Sequence, residues 1–184
     1  MSTRIINPHY LLIGKLLNYP TPSLQEHLPE IQNRLLEDPR LNLTLKQKAV
    51  GFIHYVSTLK LLDWQARYVN TFDMKANHSL HLTHHLYGEE RERGLAMADL
   101  TEHYQKAGWR IDNGELPDYL PLILEFLSTQ PSEAATTFLN QAANAMHIVT
   151  DNLINIGSEY AVLLQILLSE TNRIPVKQKT ATAS

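Results

Sequence analysis

The sequence predicts an all-α fold, a single-domain bundle of about seven to nine helices. Apolar residues recur at helical spacing along most of the 184 residues, and the strict alternation of a half-buried strand is almost absent. Hydrophobic residues make up 43% of the chain and charged ones 19%, which supplies one core, and no internal repeat or flexible linker divides it. Residues 1–172 are expected to form the helical domain. The polar, repetitive segment 173–184 is expected to be a disordered tail.

Each element has a local signal. Asn7-Pro8 reads as a cap followed by proline at the first helical position, opening a helix that stops before Pro20. Ser23-Leu-Gln-Glu26 has capping-box spacing and opens a second helix running to Asp38-Pro39. Thr44 starts a third through Ala49, Phe52 and Val56, and Asp63 is expected to cap a fourth over residues 64–72. Between Asp73 and Gly88 the pattern turns irregular and reads as a loop. Helix resumes at Glu89 and runs to Ala107, where Gly108 suits a C-terminal stop, and Asn113-Gly114 marks a turn. Pro117 then opens a helix to Leu127, Ser132-Glu133 opens a long one to Asn155, and Gly157-Ser158 separates it from a last helix ending near Thr171.

Composition removes several functions. With no cysteine, disulfides, thiolate-held iron–sulfur or zinc centres and a cysteine nucleophile are excluded. The first apolar stretch is interrupted by Asn7-Pro8 and Lys15, unlike a secretory signal, and the later runs fall short of the roughly 20 residues that span a bilayer. The protein is expected to be cytoplasmic and not itself a membrane protein. A formal charge of −3 offers no basic face for nucleic acid, so no nucleic-acid partner is expected. The motifs of nucleotide-binding loops and hydrolase elbows are missing.

The charge is unevenly placed. Residues 79–127 carry nine acidic and four basic side chains, while the rest of the chain is slightly basic. On a helix over 117–127, Leu120, Ile123, Leu124 and Leu127 form an apolar stripe, with Leu116 just before it. Asp118 and Glu125 fall on the opposite side, a carboxylate pair expected to face outward. Most such pairs are simply solvated. The crowding of Glu89, Glu90 and Glu115 into the same segment suits instead an arginine-bearing peptide held by charge-assisted hydrogen bonds.

Other residues have structural readings. Arg93 shares the face of Met97, Leu100 and Tyr104, so it is expected to be partly buried in a structural ion pair. Gly94 in a helix interior costs about 1 kcal/mol against alanine, and close approach of another backbone or of a bound chain would justify it. Trp64, Tyr68 and Phe72 recur at i, i+4 and i+8, a core stripe whose end at Phe72-Asp73 could wall a groove. His78, His81, His84 and His85 invite a metal, but the segment is loop-like and H-E-x-x-H is absent, so no metal and no cofactor are expected.

Taken together, Tyr68-Val-Asn-Thr-Phe-Asp73, Ser79-Leu-His-Leu82, His85-Leu-Tyr-Gly-Glu89, Arg91, Arg93-Gly94, Tyr104, Gly108 and Glu115-Leu-Pro-Asp-Tyr-Leu-Pro-Leu122 resemble the NarJ family. These are the delta-subunit assembly chaperones of respiratory nitrate reductase, in the wider group that includes TorD and DmsD. The resemblance is dense over 64–127 and weaker beyond. It implies an all-helical, cofactor-free protein with no catalysis of its own. Such a protein binds the N-terminal, twin-arginine-like segment of the apo catalytic subunit while molybdenum cofactor is inserted and before the enzyme docks on its membrane anchor. Molybdenum cofactor biosynthesis proteins are further expected partners.

On this reading the client-peptide residues are Tyr68, Phe72, Asp73, His85, Glu89, Tyr104, Glu115, Asp118, Tyr119 and Glu125. Tyr119 stands where many members have histidine, while His78 and His84 fall outside the family pattern. Two competing readings remain: a chaperone of the same group for a dimethyl sulfoxide or trimethylamine oxide reductase, and a metal-dependent hydrolase built on the histidines with Glu89. A homodimer formed by exchanging a helix about the link 73–88 is a third expectation, concerning assembly.

Overall fold

The computed structural model describes residues 4–111 and 114–171. Among these residues lie ten α-helices, eight of them longer than six residues, and no strand beyond one isolated bridge. The helices are α1 (Pro8–Leu16), α2 (Pro22–Glu26), α3 (Leu28–Glu37), α4 (Leu43–Ser57), α5 (Leu61–Tyr68), α6 (His84–Tyr87), α7 (Arg91–Lys106), α8 (Leu120–Thr129), α9 (Ser132–Asn155) and α10 (Ala161–Leu168). The expected all-α fold is the observed one. The tail expected over 173–184, and Asn113 of the expected turn, lie outside the described residues.

Two short helices form the centre. Every residue of α8 from Leu120 to Ser128 is buried except Glu125, and α10 buries Ala161, Leu163, Leu164, Ile166 and Leu167. Helices that are apolar nearly all round must be enclosed by others. Here α1 packs on α8, and α4 and α9 pack on α10. At Gly14 α1 comes close to α8: an added Cβ would stand 3.2 Å from the Leu124 Cβ and 3.2 Å from the Pro121 carbonyl. By contrast α7 buries only Tyr104 and lies at the periphery.

Several boundaries depart from expectation for identifiable reasons. Asn7 precedes α1 but does not cap it. Its amide donates to the carbonyls of Leu127 (3.2 Å) and Gln130 (2.8 Å), tying the start of α1 to the end of α8. The expected second helix is two helices, because Pro29 has no amide to donate and its ring would meet the carbonyl four residues back. Thr21, not Ser23, is the cap, accepting from the Leu24 amide at 3.1 Å. Asn42 rather than Thr44 caps α4, and Asp63 sits in the first turn of α5, where a carboxylate complements the helix dipole. The link 73–88 is more ordered than a loop: α5 runs into a π-helical turn (Val69–Asp73), then a 3-10 turn (Ala76–His78), then α6. Gly108 and Gly157, at φ of +73° and +66°, follow α7 and α9 as their stop signals predict.

Candidate functional site

The segment before α8 is the centre of the site. Pro117 does not open the helix; Pro117 and Asp118 form a turn, Tyr119 pairs with His81 in the isolated antiparallel bridge, and α8 starts at Leu120 with Pro121 in its first turn. The Leu82 amide donates to the Asp118 carbonyl at 3.0 Å, and the Leu120 amide donates to the Leu80 carbonyl at 2.8 Å. These bonds strap the link 79–83 to the start of α8.

The strap buries Asp118 completely, at 0% exposure, so the outward pair with Glu125 does not exist. Asp118 is the hub of an internal network. Its Oδ2 accepts from the Thr83 hydroxyl and, at 3.3 Å, from the Thr83 amide, and its Oδ1 lies 3.2 Å from His81 Nδ1. Arg93 Nη2 lies 3.9 Å from Oδ2. Burial alone would raise the Asp118 carboxyl. The hydrogen bonds from His81 and Thr83, with the charges of His81 and Arg93, outweigh it and hold the group below its ordinary value. Arg93 also donates to Glu89 at 3.0 Å, and Glu89 in turn meets His84 Nδ1 at 3.1 Å.

A second cluster adjoins through Tyr119. The Tyr68 hydroxyl donates to the Leu17 carbonyl at 3.0 Å, and the Tyr119 hydroxyl lies 3.0 Å from it and 3.4 Å from Asn18 Oδ1. Tyr68 and Phe72 are buried in an aromatic nest with Tyr160, with ring centroids 4.9 to 6.0 Å apart. Burial, then the neighbouring tyrosine and Asp73, push the Tyr68 hydroxyl's pKa far up, and burial also raises Tyr119. Tyr104 is buried and donates to the Pro117 carbonyl at 2.7 Å, with burial and then Asp118 raising its hydroxyl.

The structure therefore sorts the candidate residues. Asp118, Tyr119, Tyr68, Phe72 and Tyr104 form one connected interior. His85 is half-buried and donates from Nε2 to the Ser79 carbonyl at 2.7 Å, its pKa lowered chiefly by burial. Asp73 and Glu89 are exposed at its edge, Glu115 is half-buried just before the turn, and Glu125 stands alone as the exposed position of α8. These carboxylates do not share one trough. Nor do the histidines converge: His78 Nδ1 donates to the Thr71 carbonyl at 3.1 Å, while His81, His84 and His85 turn to Asp118, Glu89 and Ser79. Among the described residues no three His, Asp or Glu side chains are grouped as a metal requires.

The sequence did not single out the cleft that lies against this hub. Leu82, Leu86, Leu100, Phe138, Ala142 and Ala145 line a hollow of about 310 Å³ between α6, α7 and α9, with Thr83 in its wall and Asp99 on α7 at its rim. Thr83, whose hydroxyl donates to Asp118, is thus shared between the cleft wall and the hub. Leu86 and Tyr87 are exposed there, at 44% and 37%. No motif marks these residues; they read as ordinary core, and Leu82, Phe138 and Ala145 are buried as core is, while the peripheral placement of α7 leaves Leu86 and Tyr87 exposed.

The family model described as nitrate reductase delta subunit matches residues 22–155. The chain belongs to that family. It is 33% identical over 171 residues to the nitrate reductase molybdenum cofactor assembly chaperone NarJ of Escherichia coli (strain K12), covering 93% of this chain and 72% of that protein. A probable chaperone of the same description, NarW of the same organism, is 34% identical over 157 residues, 85% of this chain and 65% of NarW. The probable NarJ of Bacillus subtilis (strain 168) is 30% identical over 163 residues, 89% of this chain and 88% of that protein. These three relatives are named as assembly chaperones, not as catalysts. The matched span includes the hub residues Thr83, Arg93 and Asp118 and the whole cleft. No described helix is long and apolar enough to cross a membrane.

Proposed function

We propose that this chain is an assembly chaperone for nitrate reductase. It holds the N-terminal, twin-arginine-like segment of the apo catalytic subunit in the cytoplasm during molybdenum cofactor insertion, before membrane docking. The relatives' names support the chaperone role and the client enzyme. The observation that carries peptide binding is the apolar cleft beside the Asp118 hub. An amphipathic helix buries its apolar face in such a groove and leaves its cations to the rim.

Within this reading the candidate residues divide by position. Asp118, Tyr104, Tyr68, Phe72 and His85 hold the wall in shape from within. Asp99 lines the cleft and is the acid that meets a client arginine there, and Glu89 would exchange Arg93 for a client cation; Asp73, Glu115, Tyr119 and Glu125 lie outside the cleft lining and would meet client residues beyond it. Molybdenum cofactor biosynthesis proteins are further partners on the same reading, and a homodimer by helix exchange is its assembly state.

Titration calorimetry with a synthetic peptide of the catalytic subunit's N-terminal segment tests the proposal. Leu86→Asp and Asp99→Lys, both at exposed positions, are expected to weaken binding about tenfold or more while the circular dichroism spectrum is kept. Unchanged affinity in both folded variants would overturn the cleft as the site. Co-purification with the apo subunit, lost when its first residues are removed, is the corresponding test of the client.

A further inference from the structure

A second groove, between α1 and α3, has the opposite electrical character to the cleft beside the Asp118 hub. It is a hollow of about 370 Å³, and none of the residues lining it lines that cleft. Its floor is apolar, with Leu12 and Ile31 buried and Leu24 half-buried. Its walls carry cations. Lys15 lies one turn after Leu12 on α1, while His27, at the start of α3, is followed at helical spacing by Ile31 and Arg34, so each set shares a face.

These cations are weakly engaged within the protein. Lys15 has no ion-pair partner among the described residues. His27 donates from Nδ1 to the Ser23 carbonyl at 2.7 Å, which leaves Nε2 to a further partner. Arg34 meets Glu30, the one acid of the lining, at 3.6 Å, but the two side chains are 49% and 61% exposed, and an exposed pair contributes little. A carboxylate brought from outside would replace Glu30 at small cost. The spacing also selects among anions. His27 and Arg34 stand about 10 Å apart along α3 at 1.5 Å per residue, and Lys15 lies across the groove on α1, so one phosphate group cannot reach all three. A peptide can, with carboxylates on successive turns flanking apolar side chains that the floor accepts.

We propose that the α1–α3 groove docks an acidic amphipathic segment of a partner protein, whose carboxylates meet Lys15, His27 and Arg34 and whose apolar side chains cover Leu12, Leu24 and Ile31. Because the two grooves share no lining residue, the partner docks while a client segment occupies the cleft. Only this simultaneity rests on the client reading. The acidic site stands or falls without it.

Fluorescence anisotropy with a labelled synthetic peptide of leucine and glutamate at helical spacing tests this on the full chain. At low salt the glutamate peptide is expected to bind, and its glutamine counterpart to bind about tenfold more weakly. Lys15→Gln combined with Arg34→Gln, both at exposed positions, should weaken the glutamate peptide about fivefold or more at an unchanged circular dichroism spectrum. In the unaltered chain the peptide should shift the amide signals of Lys15, Leu24 and Ile31. No binding, equal binding of the glutamine peptide, or shifts confined to other residues overturns the proposal. So does displacement by inorganic phosphate as effective as by unlabelled peptide, which would make the groove a general anion site. Self-association of the chain abolished by the double variant would assign the groove to a second copy and overturns it too. The double variant should bind the client peptide with unchanged affinity, and loss of both ligands together would refute separate grooves. If calorimetry finds no client binding while the glutamate peptide still binds, the client reading fails and this site remains.

Discussion

Thr83 donates both its backbone amide and its hydroxyl to the same carboxylate oxygen of Asp118. A carboxylate with no exposure is tolerated only when its oxygens are satisfied. Here the donors come from a segment thirty-five residues earlier in the chain, so the residue that reads as a surface acid is a fastener between the link 79–83 and α8.

Acid sensitivity follows from that fastening. The folded Asp118 carboxyl is held below its ordinary value of 3.8. Its contribution is therefore complete above the unfolded value and is lost as pH falls from about 4 through the lower folded value. Asp118→Asn turns an amide toward donors and should cost about 1–3 kcal/mol at neutral pH. Urea midpoints measured from pH 3 to 7 should fall more steeply in the wild type than in Asp118→Asn, so that the two curves converge at low pH. Parallel curves would remove Asp118 from this role.

Arg93 and Glu89 should behave unequally although they form one pair. The Glu89 side chain is 78% exposed, so its bond to Arg93 contributes about 0.5 kcal/mol or less. Arg93 is 15% exposed and also faces Asp118, and its removal leaves a buried carboxylate with less cationic support. Arg93→Ala is expected to cost about 1–3 kcal/mol, against almost nothing for Glu89→Ala. A double-mutant cycle with Asp118→Asn should show coupling for Arg93 and none for Glu89.

The helical order was legible because its signals are local: Ser132-Glu133 does open α9, and Gly108 and Gly157 do follow helix ends. The hub was not, for a reason visible in its residues. Pro117 and Pro121 both suit a first helical turn. The choice of the second is made by the Leu120 amide bonding to Leu80 and by Tyr119 pairing with His81, contacts that no sequence window contains. Starting the helix three residues early rotates Asp118 onto an outward face that does not exist. Arg93 could be placed on the right face from its spacing to Leu100 and Tyr104, but its far partner could not be named. The cleft was illegible because Leu86, Leu100 and Ala142 differ from core residues only in what fails to cover them.

The glycines of α1 and α7 give predictions of opposite sign. A glycine inside α7 reads as room for another backbone or for a bound chain, yet no atom of this protein lies within 4 Å of a Cβ built at Gly94, and the position is exposed. Gly94→Ala should therefore stabilise the fold by about 0.5–1 kcal/mol through helix propensity alone. At Gly14 the same gain is opposed by contacts of 3.2 Å with Leu124 and with the Pro121 carbonyl. The carbonyl belongs to the buried first turn of α8 and cannot swing aside as a side-chain tip can, so overpacking by about 1–3 kcal/mol exceeds the propensity gain. Gly14→Ala should lower the urea midpoint and Gly94→Ala should raise it, both at unchanged m-value. Two shifts of the same sign would mean that α1 does not meet α8 as closely as the 3.2 Å contacts require.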